Sequence, residues 1–258
     1  MLSLSQILEQ YPQALRAFPE SLLKEYLQCK ILNSLFNSEA ADKMAFLGGT
    51  ALRLVHGGRR FSEDLDFDNF NLGEDEFAGL GEIIRKDLEL EGLEVEISSR
   101  TKSAYRLKIR IPGLLYDTGL AGRTEQKILI QVDTEPQHYD YMPDKPILNR
   151  FEVFTQINVV PKNILLAQKI FATTNRKRAK GRDFFDIVFL YGLGAQPDWG
   201  YLRKNLGVES QPQLKAFLLE KSHSLNFSEL ARDVEPFLFD AREKNKVLLF
   251  RQFLEQME

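Results

Sequence analysis

Residues 46–70 read FLGGTALRLVHGGRRFSEDLDFDNF, and this stretch constrains the fold more than any other part of the chain. Ala45, Phe46 and Leu47 form a short apolar run that stops at Gly48 and Gly49, so the run reads as a strand entering a tight turn. Residues 50–56 then read as a helix, with Thr50 as its cap, Leu52 and Val55 facing inward, and Gly57 and Gly58 ending it. Glycine at a strand-to-helix turn lets the backbone approach a ligand closely, and the free N–H groups of a helix start favour a phosphate. Thr50 adds a hydroxyl. Arg53, Arg59 and Arg60 either hold phosphates or are surface charge. A strand is expected over residues 61–67. Side chains alternate along a strand, so Asp64 and Asp66 share one face while Leu65 and Phe67 point to the core. Two carboxylates fixed on one face repel unless a cation sits between them, and a hard divalent ion such as Mg²⁺ is the natural occupant.

A phosphate cradle and a metal-binding carboxylate pair within one short unit describe phosphoryl or nucleotidyl transfer. In such chemistry two metal ions activate an attacking hydroxyl and neutralise a leaving pyrophosphate. A Gly-Gly turn or an Asp-x-Asp strand alone is weak evidence; their order and spacing are far more specific. Asp64, Asp66 and Asp68 also mimic the opening of an EF-hand loop. That loop needs Gly sixth and Glu twelfth, and those places hold Asn69 and Asp75, which excludes it. A third carboxylate is expected on a neighbouring strand. Residues 127–134 alternate clearly: Ile128, Ile130 and Val132 share one face, and Leu129, Gln131 and Asp133 share the other. Asp133 is the candidate to complete the metal site or to deprotonate an acceptor, against the reading of a solvated strand-end aspartate.

The remaining pattern places these motifs in a mixed architecture. Helices are expected over residues 21–38 and 74–90, and strands over 93–97, 105–111 and 151–159. After Pro161 the pattern turns helical, over residues 163–174, 183–191, 212–221 and 241–257. Strands first and helices afterwards indicate an α+β protein with a C-terminal helical lobe, divided softly into residues 1–160 and 161–258. The 258 residues, 43% of them hydrophobic, suffice for a real core. No apolar run is long enough to span a bilayer, and residues 1–13 lack the basic start of a signal peptide. The lone Cys29 has no internal disulfide partner, so a reducing, cytoplasmic setting is expected. His56, His138 and His223 are scattered, and no zinc site is expected.

Charge is distributed unevenly. The net charge is −3, yet residues 62–98 hold 13 acids and two bases, and residues 161–182 hold seven bases and no acid. One region suits cations and the other phosphates, unless the two are simply solvated faces that attract each other. Within the basic region, Lys169 interrupts an apolar helix pattern, so its ammonium either snorkels to water or reaches nucleotide phosphates as a point charge. Arg176, Lys177, Arg178, Lys180 and Arg182 form a cationic run read either as an acceptor- or phosphate-binding loop or as a solvated turn. Asp183 and Asp186 open the next helix in a capping-box-like spacing, with Asp183 expected as its cap.

The segments FLGGTALRL and RRFSEDLDF, followed by a lysine-containing helix and RDFFD, resemble the AbiEii/AbiGii abortive-infection toxin family over roughly residues 45–190. That resemblance implies the nucleotidyltransferase fold of the DNA polymerase β superfamily, with a mixed β-sheet flanked by helices. It implies that Gly48, Gly49 and Thr50 bind a nucleoside triphosphate; Arg53 and Lys169 stay candidates to hold its phosphates from the reading of the residues alone. Asp64 and Asp66 would hold Mg²⁺, and Lys169 and Asp186 would complete the site, Asp183 being the alternative carboxylate; two ions follow from the transfer chemistry, and Asp133 stays a candidate further ligand from strand alternation alone. It further implies transfer from an NTP to tRNA or another acceptor, a role in phage defence, and a cognate antitoxin partner. The chain departs from the wider superfamily in reading Gly-Gly-Thr where Gly-Ser is usual. Two rival classes share these features: a nucleotide- or RNA-binding protein without catalysis, and a transferase that modifies a small molecule such as an antibiotic.

Overall fold

The computed structural model describes residues 1–101 and 104–257. The chain divides into two compact units, one formed by Met1–Gly57 with Ser62–Val160 and the other by Gly58–Phe61 with Pro161–Glu258. Among the described residues no helix is long and apolar enough to cross a membrane.

The first unit runs α1 (Leu4–Glu9), α2 (Pro19–Phe36), β1 (Met44–Leu47), α3 (Gly48–Val55), β2 (Leu65–Asn69), α4 (Glu74–Leu90), β3 (Glu96–Arg100), β4 (Tyr105–Pro112), α5 (Leu114–Asp117), β5 (Lys127–Glu135), β6 (Ile147–Arg150) and β7 (Val153–Gln156). Five strands form a mixed sheet in the order β1-β2-β5-β4-β3, in which only the central β2–β5 pair is parallel. Alternation gives this sheet two unlike faces. Phe46, Leu65, Phe67, Leu107, Ile109, Ile130 and Val132 are buried on one face, which α2 and α4 cover. The opposite face carries Asp66, Asp133, Gln131, Arg106 and Lys108, and Asp64, one residue before β2, joins it through its hydrogen bond from Gln131. Helix α2 starts with Pro19 in its first turn, where a missing N–H costs nothing. Helix α4 carries Glu74, Asp75 and Glu76 in its first turn, where the helix dipole favours them.

Several expected elements shift. The strand expected from residue 61 begins only at Leu65 and runs on to Asn69. The strand expected over 93–97 starts at Glu96 and continues to Arg100. The segment 151–159 is not one strand: β6 and β7 form a hairpin whose turn places Phe151 at φ +56°, and Val159 then bridges Phe46 of β1.

The second unit is helical, with α6 (Lys162–Asn175), α7 (Gly181–Gly192), α8 (Trp199–Leu206), α9 (Gln211–Ser222), α10 (Phe227–Val234), α11 (Asn245–Leu248) and α12 (Phe250–Glu255). The long helix expected over 241–257 is broken into a 3₁₀ turn and the short α11 and α12. An aromatic cluster organises this unit: Phe184 meets the rings of Phe227 and Phe250 edge-on, with centroids 5.4 and 4.9 Å away. Gly181 opens α7 because a side chain there would overlap the Leu230 carbonyl of α10.

Candidate active site

The site is built at the turn from β1 into α3. The helix starts at Gly48, ahead of the expected Thr50 cap, and its N-cap position is Leu47. Gly48 has φ +79°, a conformation that costs a side-chain-bearing residue free energy. A Cβ placed on Gly48 would overlap Oδ2 of Asp66 and lie 3.2 Å from its Cβ and Cγ. Glycine is therefore required twice, for its dihedral and for the close approach of the carboxylate. The antiparallel register of β1 and β2 produces this contact by setting Leu47 opposite Asp66.

Thr50 is fully buried, and its hydroxyl donates to the Asp64 carbonyl at 2.5 Å. It does not cap the helix; it fixes the backbone from which the two carboxylates project. Asp64 and Asp66 are half-buried, and Asp64 Oδ1 accepts from Gln131 Nε2 at 3.2 Å. A cavity of about 300 Å³ opens beside Asp64, lined in part by Lys24, Glu63, Lys127 and Gln131. Asp133 lies directly beside Asp66 in the parallel β2–β5 register. Its carboxylate is taken by Arg106 of β4, with Nε to Oδ1 at 2.6 Å and Nη2 to Oδ2 at 2.8 Å. Hydrogen bonding to Asp133 raises the Arg106 guanidinium further into its charged range, against a smaller loss from burial; Asp133's charge and those of Asp64 and Asp66 add to the rise. Among the described residues, no group of three or more His, Cys, Asp or Glu side chains is placed to hold a metal. The all-oxygen pair of Asp64 and Asp66, opening onto a side-chain-free Gly48, nonetheless fits a hard divalent cation.

Asp68, the third aspartate of the run, has a different fate. It is buried, accepts from the Gln137 N–H at 2.8 Å and from the Tyr141 hydroxyl at 2.7 Å, and anchors the segment after β5. Burial pushes its carboxyl up, and these two donors only partly offset that.

Arg53 gives Nε and Nη2 to Glu25 of α2 at 2.7 and 3.0 Å. Glu25 is buried and also accepts from Tyr11 and pairs with Arg150 at 2.7 Å. Arg53 thus ties α3 to α2, a role its sequence position did not reveal.

The other expected residues belong to the second unit. Lys169 does not snorkel: its ammonium lies 3.1 Å from Asp183 Oδ1 and 2.8 Å from Asp186 Oδ2. Asp186 also receives both arms of Arg60, each at 2.7 Å, and Asp183 pairs with Arg176 at 2.9 Å. Asp183 is not the cap expected of it; α7 starts two residues earlier, after Lys180. Burial alone would lower the Lys169 ammonium, but the two carboxylates outweigh it and raise it. Burial would likewise raise Asp186, but Arg60 and Lys169 hold it below the usual carboxylate range. Of the cationic run, Lys177 and Arg178 are exposed, Lys180 is half-buried, and Arg182 lies over the Phe237 ring at 4.6 Å. Arg60 was not separable in sequence from Arg53 and Arg59. Arg106 and Gln131 carried no signal except their place on the polar side of alternating strands.

Comparison with known proteins gives a consistent picture. Two crystal structures from Helicobacter pylori share the fold. JHP933 is 19% identical, with a TM-score of 0.51 over 92% of this chain and 94% of its own. A protein provisionally assigned as a nucleotidyltransferase is 21% identical, with a TM-score of 0.50 over 93% and 98%. Comparison with curated proteins finds no match. The sequence model of the nucleotidyl transferase AbiEii toxin, type IV toxin–antitoxin system, matches residues 30–254, which span the Gly48 turn, both carboxylate-bearing strands and the Lys169 cluster, and the chain therefore belongs to that family.

Proposed function

We propose that this chain is a Mg²⁺-dependent nucleotidyltransferase that transfers a nucleotide from an NTP to a polyanionic acceptor, foremost a tRNA, as the toxin of a toxin–antitoxin pair. The observation that carries the reading is the contact between Gly48 and Asp66. A helix start suited to phosphate and a carboxylate suited to a cation touch at a position only glycine can fill.

In this reading the Gly48 and Gly49 N–H groups hold the triphosphate at the start of α3. Asp64 and Asp66 hold divalent cations, which when bound neutralise charge on the phosphate oxygens. Thr50 and Gln131 keep the Asp64 backbone and carboxylate in place. The acceptor hydroxyl gives its proton to solvent water and attacks the α-phosphorus, the bond from that phosphorus to the oxygen bridging to the β-phosphate breaks, and pyrophosphate leaves. Arg53 serves its contact with Glu25 and is left out of the phosphate ligands. The family resemblance extends the proposal to Lys169 and Asp186, and the same assay on Lys169→Gln reads their part.

A polyanionic acceptor is favoured over a small molecule by two features. Lys177 and Arg178 are exposed in a segment without acids. On the polar sheet face, Lys108 has the neutral Ser98 and Gln131 as cross-strand neighbours, and Arg110 follows it two residues on. An enzyme that drew on NTP and tRNA would act in the cytoplasm, and the type IV assignment of the family supports an antitoxin partner.

The test incubates the protein with Mg²⁺, total bacterial RNA and each NTP labelled at the α-phosphate, beside the Asp64→Ala/Asp66→Ala double variant. Label in an RNA band with the wild type alone is expected. Equal labelling by the double variant contradicts the carboxylate assignment. Label on a small molecule instead would favour the antibiotic-type transferase, and NTP binding without any product would favour the non-catalytic reading.

A further inference from the structure

The third carboxylate of the site is where sequence and structure part. Asp133 stands between Asp66 on β2 and Arg106 on β4, and all three project from the same sheet face because they are register partners. The sheet therefore offers the Asp133 carboxylate a choice between a cation shared with Asp66 and the guanidinium on its other side.

Two observations say which side it takes. Both Asp133 oxygens are bonded by the two arms of Arg106, at 2.6 and 2.8 Å, the planar fork that suits a carboxylate best. On its far side Arg106 faces Arg100 of β3 in direct register, and like charges directly opposite repel, which favours the lean of Arg106 toward Asp133. The pair is nevertheless partly open to solvent, with Arg106 43% and Asp133 23% exposed, so it is screened and of modest strength.

We propose that Arg106 is a built-in counter-ion that withdraws Asp133 from the metal, so that Asp64 and Asp66 alone hold the divalent cation. The inference rests on the metal role proposed for those two aspartates. Its consequence is a site whose cation affinity is set by a residue that never touches the cation. Arg106 is a positioning residue here, acting through Asp133.

Mn²⁺ binding, read from the electron paramagnetic resonance of the free ion at constant ionic strength, tests this without any activity measurement. The proteins are the wild type, Asp133→Asn, Arg106→Gln, Arg106→Lys, the Asp133→Asn/Arg106→Gln double variant and Asp66→Asn, each checked for folding by thermal melting. Arg106→Gln is expected to bind Mn²⁺ on the order of tenfold more tightly, because it frees a carboxylate and removes a positive charge. Asp133→Asn uncovers the Arg106 charge and is expected to weaken binding through that charge when Arg106 is present, but to cost more, about tenfold, when Arg106 is absent and a ligand is lost, a coupling that the double-mutant cycle measures. Arg106→Lys, which keeps the charge but loses the fork, is expected to fall between, and gives a second reading if the Gln variant unfolds. Unchanged or weaker binding by the folded Arg106 variants, or equal losses from Asp133→Asn in the presence and absence of Arg106, overturns the proposal. Asp66→Asn separates this from the underlying reading: if wild-type binding is indifferent to Asp66, it is the metal role of the aspartate pair that fails.

Discussion

Gly48 shows how one residue couples backbone to chemistry. Its positive φ and its contact with Asp66 are both incompatible with a side chain. Gly48→Ala is expected to destabilise the first unit by about 1–3 kcal/mol and to displace the Asp66 carboxylate. Urea unfolding checks the first effect and Mn²⁺ titration the second. The buried Arg60–Asp186–Lys169 cluster makes a pH-dependent prediction. The Asp186 carboxyl is lowered, so its contribution is complete above the ordinary carboxylate value of about 4 and is lost as pH falls through its folded value. The Lys169 ammonium is raised, so its contribution holds below its ordinary value of about 10.4 and is lost only as pH rises through its folded value above that. Asp186→Asn leaves two buried cations underpaired and is expected to cost about 3–5 kcal/mol at neutral pH. That penalty should shrink as the wild-type carboxyl itself protonates in acid, which melts of both proteins across acidic and neutral pH would show. A penalty independent of pH contradicts the ionised state assigned to Asp186.

At the level of elements, the alternation of residues 127–134 was legible because a half-buried strand must alternate, and β5 runs Lys127–Glu135 with Ile128, Ile130 and Val132 buried. Alternation likewise placed Asp66, while Asp64 lies one residue ahead of β2 and meets the same face through Gln131. What alternation does not encode is the neighbour: that β4 would set Arg106 against Asp133 follows from strand order, a long-range property. The helix starts were misplaced for a related reason. Thr50 and Asp183 are good capping residues locally, but tertiary partners claim them, the Asp64 carbonyl in one case and Lys169 with Arg176 in the other. Arg53 illustrates the same limit, since Glu25 lies 28 positions away in sequence. Glu25 joins α2, α3 and the end of β6 through Arg53 and Arg150. Glu25→Ala leaves two arginines without their buried acceptor and is expected to cost about 3–5 kcal/mol, while Glu25→Gln, which keeps an acceptor, should cost less. Thermal melting distinguishes them; equal, small losses would show that the network does not bind these elements together.

For the molecule as a whole, a net charge of −3 conceals an acidic stretch and a basic one, and this separation underlies the proposed division between cation and acceptor. Acceptor RNA should bind less tightly as salt rises. Replacing the exposed Lys177 and Arg178 with alanine should reduce the slope of log affinity against log salt by about 0.7 to 0.9 for each phosphate that is no longer neutralised. An unchanged slope places the RNA elsewhere. The central claim is that the pair of Asp64 and Asp66, at the start of β2, supports transfer of a nucleotidyl group, and it is tested most directly by following one NTP labelled separately at its α- and γ-phosphates. With wild-type protein and Mg²⁺, label from the α-position is expected in the acceptor and label from the γ-position in released pyrophosphate, while Asp66→Asn, folded as the wild type, transfers neither at a rate within about 100-fold. Appearance of the γ-label in the acceptor, or undiminished transfer by Asp66→Asn, would contradict the account.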